Sequence, residues 1–471
     1  MPSATFTTQR VVSLARHVRR SSLHRNSVWL MLSIVIASCL GYAYWVAAAR
    51  LFPSAQVGLA TGLVSLMTVT ATVANFGVAT ALVQRLPVRD NIDDWSTTLS
   101  GSVIGGAVLG VSSGAVVLVL VPVLSHRLAV VQRDPVLALL FIVGTACCIV
   151  SMVLDFAFIA ERNSRSTAIR GGIFGLIKIP LLIVPVFVLS GGRSTTVIFA
   201  SWVLAYAASC VIALTVMMPK LRPGFSIRRR GAFAELRTNV RLLTGNYFTT
   251  LGTTLPLYIL PVIVVTRLSA TANAYFYITW MVGGAFFMIS SAIGSALYAE
   301  GSNDPAKIGS IARSSVRFTA LLLTPAMLIV FATGKWILEI FGSAYSQNGT
   351  HLLWVLTLAS IPDAITNLYV AVLRVRGRLR AAGCLTMGMA IFTMVAAWIV
   401  APSLKLVGIG VIWLLGQVLG SIWVAWDMGA LARILRWATA RRKPHHDAPF
   451  VTTPLAYDHH DADTRETASV L

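Results

Sequence analysis

Residues 27–49 read SVWLMLSIVIASCLGYAYWVAAA, 23 positions without one charged side chain, closed by Arg50. As an α-helix this run is about 35 Å long, enough to cross the hydrocarbon core of a bilayer. It recurs. Runs of comparable length follow at 58–83, 97–124, 136–160, 173–190 and 196–218, and again at 245–266, 275–298, 314–334, 350–373, 381–401 and 407–428. A soluble core of any size is broken by polar residues every one or two turns, so these runs predict an all-α polytopic membrane protein of about twelve crossings.

Composition agrees. Of 471 residues, 56% are hydrophobic and 12% charged, against about a quarter charged in soluble domains. Cys39, Cys147, Cys148, Cys210 and Cys384 all lie within apolar runs, as small hydrophobes and not as a disulfide or metal framework. The N-terminal stretch is basic with no small-residue cleavage site, and the first apolar run is too long for a signal peptide, so it reads as an uncleaved first helix.

The net charge of +21 suggests nucleic-acid binding only if the basic residues cluster on a soluble surface. Here they alternate with the crossings. Of the 38 Lys and Arg, 30 fall on connections or adjoining helix ends sharing a side with the N-terminus, 7 on the opposite side, and Lys178 lies deeper within a helix. Positive residues mark the cytoplasmic side, so both termini are expected in the cytoplasm of a cell inner membrane, with anionic inner-leaflet lipids as neighbours and no nucleic acid.

The expected organisation is a basic N-terminus (1–26), a six-helix lobe (27–218), a basic linker (219–244) carrying Arg228, Arg229, Arg230, Arg237 and Arg241, a second six-helix lobe (245–428) and a mostly disordered tail (429–471). The tail's His445, His446, His459 and His460 read as solvated residues without preorganised metal geometry. Arg50-Leu51 at the end of the first run is echoed by Arg267-Leu268, 217 residues on; Ala160-Glu161-Arg162 is echoed by Val372-Leu373-Arg374, 212 residues on. Each echo pairs a helix with the one six places later, so the two lobes are expected to be pseudo-symmetric, in the same orientation, around a central cavity suited to alternating access.

Ionisable groups inside the membrane cost about 2.5–3.5 kcal/mol on insertion scales and each needs a reason. Lys178 and Asp155 are expected at similar depth in adjacent helices, and two readings stand: an ion pair facing a water-filled cavity, or a lysine snorkelling to the surface beside its carboxylate. Asp363 is nearer the middle of the tenth run, where it reads as a proton- or sodium-coupling group or as a cap for a helix break at Pro362. Arg50 and Arg267 read as a clamp for a phosphate-bearing head group or as interfacial anchors. Pro256 and Pro261 predict a bend in the seventh helix, and the glycine spacings 101/105, 106/110/114 and 416/420 predict close helix packing.

AARLFPSAQVGLATGLVSL (48–66), NFGVATALVQRL (75–86), AERNSRSTAIRGG (160–172) and AVLRVRGRLRAAG (371–383) give the chain its resemblance to the polysaccharide flippases, the Wzx-type members of the multidrug/oligosaccharidyl-lipid/polysaccharide exporter superfamily. The resemblance implies transfer of a polyprenyl-pyrophosphate-linked oligosaccharide from inner to outer leaflet for surface polysaccharide synthesis, with a polysaccharide polymerase or glycosyltransferases as partners. Arg50, Arg85, Lys178 and Arg267 would then contact the cargo, and Asp155 and Asp363 would be the ion-coupling residues. The alternative within the superfamily is a cation-coupled multidrug or small-metabolite antiporter centred on Asp155 and Asp363. The drug exporters typically carry a carboxylate in the first or seventh helix, and neither run has one here. No phosphate-binding glycine loop, carboxylate pair or metal-ligand cluster is apparent, so neither an enzyme nor a cofactor or metal site is expected.

Overall fold

The computed structural model describes residues 22–75, 78–188, 194–227 and 246–440. The linker arginines 228–241 and the tail histidines lie outside them. Among the described residues every element is helical: α1 (Ser22–Leu51), α2 (Ser54–Ala74), α3 (Ile92–Leu124), α4 (Pro135–Ala160), α5 (Ser164–Val188), α6 (Thr195–Ile212), α7 (Asn246–Arg267), α8 (Ala270–Asn303), α9 (Ile308–Glu339) and α10 (Ser343–Val375). The final helical stretch, Leu379–Ala440, is broken at Lys405, whose φ of 52° interrupts the helix; α11 is 379–404 and α12 is 406–440. The chain is thus an all-α polytopic membrane protein, and among the described residues each of the twelve apolar runs coincides with one of α1–α12, the second only in part.

Boundaries differ from the hydropathy reading for a physical reason. Apolar runs mark what lies in hydrocarbon, whereas a helix continues into the head-group region as long as its backbone bonds allow. α5 begins at Ser164, within the polar SRSTAIR segment, nine residues before the run at 173. The second run is instead divided: α2 stops at Ala74, with Asn75 as its C-cap, and a separate helix, Val78–Arg85, follows. Pro256 and Pro261 both lie inside a single α7.

In the first half α1 packs on α5, α3 on α4, and α6 on α4 and α5; in the second, α8 and α9 pack on α10. The halves meet where α2 lies against α7 and α8. This makes α2 central: 83% of its apolar window is buried, against 17% for α3. Gly110 of α3 permits close packing on α4, since a Cβ there would stand 2.4 Å from Ala146 Cα.

The repeat is visible in hydrogen bonds. After α4, Arg162 N–H donates to Ile159 O (2.9 Å) and Asn163 N–H to Phe158 O (2.9 Å); after α10, Gly377 N–H donates to Arg374 O (3.1 Å) and Arg378 N–H to Leu373 O (2.9 Å). Both turns pivot on a residue with positive φ, Arg162 at 53° and Gly377 at 70°, 215 residues apart. This is the same helix-ending motif. The structural register is therefore three residues beyond the 212 read from the arginines.

Candidate functional site

α5 carries Lys178 one helical turn after Phe174, which places both on one face. The side chain is buried, with 4% exposure, and its Nζ sits among three aromatic rings: Tyr44 of α1 (4.9 Å to the centroid), Phe174 (4.9 Å) and Trp202 of α6 (4.7 Å). The box is fixed from behind. Tyr44 Oη donates to Ile198 O (3.1 Å) and lies 2.8 Å from Ser201 Oγ, and Phe174 stacks on Tyr206 with centroids 4.4 Å apart. Aromatic faces stabilise an ammonium by roughly 0.5–2 kcal/mol. They do not neutralise it.

Asp155, expected beside Lys178, is engaged elsewhere. Its carboxylate receives a bidentate interaction from Arg170 of α5, Nε to Oδ1 at 2.7 Å and Nη2 to Oδ2, while Arg170 Nη1 reaches Ser209 Oγ at 3.4 Å. Among the described residues Lys178 has no carboxylate partner. Arg170 escaped the sequence reading because a helix beginning at 173 leaves it in a loop; in α5 it is one of the buried residues.

In the second half, Asp363 of α10 is buried (6% exposed) and accepts hydrogen bonds from Ser290 Oγ of α8 (2.6 Å) and Asn367 Nδ2 (2.9 Å). α10 continues through Pro362, so Asp363 caps no break. Next to it Thr366 Oγ1 donates to Gln417 Oε1 of α12 (3.1 Å), and Ser421 Oγ donates to Pro362 O (3.1 Å). The result is a carboxylate held by two neutral donors and, among the described residues, without a basic partner, inside a polar seam between α8, α10 and α12.

Arg50 and Arg267 do not meet. Arg50 donates to main-chain oxygens at the end of α9, Nε to Ile340 O (2.9 Å) and Nη2 to Glu339 O (2.8 Å). Arg267 donates from Nε to Trp398 O of α11 (3.2 Å) and lies over the Trp398 ring (5.0 Å). A third arginine on the same face, not singled out from sequence, does likewise: Arg127, in the connection between α3 and α4, donates from Nη1 to Val265 O (3.1 Å) and Thr266 O (2.9 Å) at the end of α7. Arg85, half-buried, ends Val78–Arg85 towards the opposite face. Among the described residues no group of three or more His, Cys, Asp or Glu could hold a metal ion.

Residues 23–297 match the sequence model of a family described as polysaccharide biosynthesis protein. No curated relative matches the chain. Among solved structures, the fold is similar to the lipid II flippase MurJ in its inward closed conformation (TM-score 0.69, 10% identity, 85% of this chain and 87% of that one). It is also similar to a multidrug resistance MATE family transporter of the MOP superfamily in its inward-facing conformation (TM-score 0.63, 15% identity, 86% and 99%), and to a MOP superfamily transporter from Pyrococcus furiosus (TM-score 0.58, 14% identity, 87% and 96%).

Proposed function

The chain belongs to the polysaccharide biosynthesis protein family, within a superfamily of membrane transporters and flippases, and from that premise we propose that its cargo is an oligosaccharide linked to a polyprenyl pyrophosphate. The direction proposed is from the cytoplasmic to the outer leaflet of the cell inner membrane, by alternating access, with both termini in the cytoplasm. Lys178 carries the proposal. A buried ammonium held by three aromatic rings, with no carboxylate partner among the described residues, offers positive charge to an anion. The superfamily neighbour that is a lipid II flippase supports a cargo of this class. Arg85 is the second proposed contact, at the cytoplasmic mouth. Arg50 already donates from Nε and Nη2, and Arg267 from Nε, to main-chain oxygens, which moves the weight of cargo binding to Lys178. A polymerase that consumes the exported unit would complete the process.

Asp363 supports a coupling role and keeps a second reading in view. A carboxylate with two neutral donors and, among the described residues, no basic partner suits a transported proton or sodium ion, which would also serve a cation-coupled antiporter. Asp155, already neutralised by Arg170, suits that role less well.

The test is leaflet transfer of a fluorescent polyprenyl-pyrophosphate disaccharide in proteoliposomes. Lys178→Met should lower the initial rate about tenfold or more, the loss of a charge-assisted contact, with Lys178→Arg retaining part of it. Asp363→Asn should leave a slower rate that no longer responds to an imposed proton or sodium gradient. Undiminished transfer by Lys178→Met would sink the cationic-site reading. Failure of the wild type to move the lipid while it exports a cationic dye would favour the antiporter.

A further inference from the structure

Arg50 and Arg127 belong to the first half of the chain, and each donates to the last carbonyls of a helix in the second half. A guanidinium is well suited to a helix C-terminus, where unpaired carbonyls and the negative end of the helix dipole coincide. Arg50, at the end of α1, reaches the end of α9; Arg127, just after α3, reaches the end of α7. The repeat that carries α1 onto α7 also exchanges α3 and α9. An α1–α9 contact and an α3–α7 contact are therefore the same contact seen twice, once on each side of the pseudo-symmetry axis.

Between them lies the crossing of α2 and α8, a pair the repeat also exchanges. It is tight: a Cβ on Gly58 would fall 1.6 Å from Ala270 O, and Asn273 Nδ2 donates to Gly58 O (2.7 Å) and Thr61 Oγ1 (3.0 Å). These three polar or close contacts, one central and two flanking, are among those that span the halves on the face that bears Arg50, beside the apolar packing of Phe52 and Val57 with Phe341 and Tyr345.

We propose that Arg50 and Arg127 form a paired latch that holds the two halves closed on this face, and that transport requires both arginines to leave their helix ends. Both are rim residues reached by water, so their release exposes no buried charge. Each donates two hydrogen bonds to the opposite half, and carbonyls at a helix end can turn to water when the arginine departs. This arrangement makes a reversible closure, unlike the pair of buried Arg170 with half-buried Asp155 within one half.

The inference rests on the alternating-access reading and not on the identity of the cargo. Spin-label distances test it without any cargo, so failure here would leave the Lys178 proposal standing. In full-length protein lacking Cys39, Cys147 and Cys384, one label pair goes on the latch face, Arg133→Cys with Ser403→Cys. A second goes on the opposite face, Asp94→Cys with Arg313→Cys; all four sites are exposed and outside the contacts described. In Arg50→Ala/Arg127→Ala the latch-face pair should gain a longer distance, its population rising about tenfold relative to the parent, while the opposite pair gains a shorter one. Arg50→Lys/Arg127→Lys should lie between. Arg222→Ala, which removes an arginine paired with Glu161 inside the first half (3.0 Å), should change neither distribution. Unchanged distances in the double variant would overturn the latch. So would lengthening of both pairs, which would make the arginines general mortar between the halves and not a closure of one face.

Discussion

Arg162 and Gly377 do the same work with different chemistry. Both end a helix with positive φ, a conformation that costs a residue with a Cβ about 1–2 kcal/mol and glycine almost nothing. The second half meets this requirement with glycine and the first half does not. Arg162→Gly should accordingly raise thermal stability slightly, by about 0.5 kcal/mol after glycine's own entropic cost, and Gly377→Ala should lower it by about 1 kcal/mol. Unfolding midpoints in detergent would check both; a loss on Arg162→Gly would mean that its side chain contributes more than its backbone costs. At this scale the sequence was only partly legible. That Lys178, Asp155 and Asp363 are unusual follows from their positions in apolar runs alone. Their partners do not: Tyr44 and Trp202 are distant in the chain from Lys178, Arg170 was hidden by a helix start nine residues early, and Arg127 looks like any loop arginine until the end of α7 is seen beside it.

At the scale of elements, two glycines of similar crowding are expected to behave differently because of what they bring together. Gly110 lets α3 approach α4 within one half, and Gly58 lets α2 approach α8 across the halves. A methyl at Gly110 strains a contact that every conformation keeps, so Gly110→Ala should lower the unfolding midpoint and the yield of folded protein, by about 1–3 kcal/mol. A methyl at Gly58 strains a contact that only the closed face makes. Gly58→Ala should leave folding closer to the parent but disfavour closure of that face, seen as increased reaction of a cysteine at Thr61 with a water-soluble maleimide. Equal loss of folded protein in the two variants would argue against the distinction. Helix number and order were legible because twenty-residue apolar runs have few alternatives in a membrane. Helix ends were not, because hydropathy sees the hydrocarbon and not the hydrogen bonds that carry α5 back to Ser164 or stop α2 at Ala74.

For the molecule as a whole, the lopsided placement of Lys and Arg predicts orientation, and orientation is a direct measurement. A membrane-impermeant maleimide added to intact cells permeable only at their outer envelope should label a cysteine at Ser403, on the latch face, and leave one at Arg313 unlabelled until the inner membrane is opened. The opposite pattern would reverse the proposed direction of transport. The general architecture was readable from charge and hydropathy, but the joining of the halves through α2 was not, since nothing in that helix's composition distinguishes a central position from one facing lipid. The ammonium of Lys178, without a carboxylate partner among the described residues, has one more consequence, an electrical one. A full charge crossing the membrane field is worth about 2.3 kcal/mol per 100 mV, and whatever fraction of that field Lys178 traverses acts on the empty carrier with one sign and, once a pyrophosphate with its two negative charges is bound, on the loaded carrier with the other. In the orientation proposed, an inside-negative voltage would draw the empty, positive site back towards the cytoplasm and push the loaded, net-negative site outward, so that the cell's resting potential would drive both strokes of the cycle.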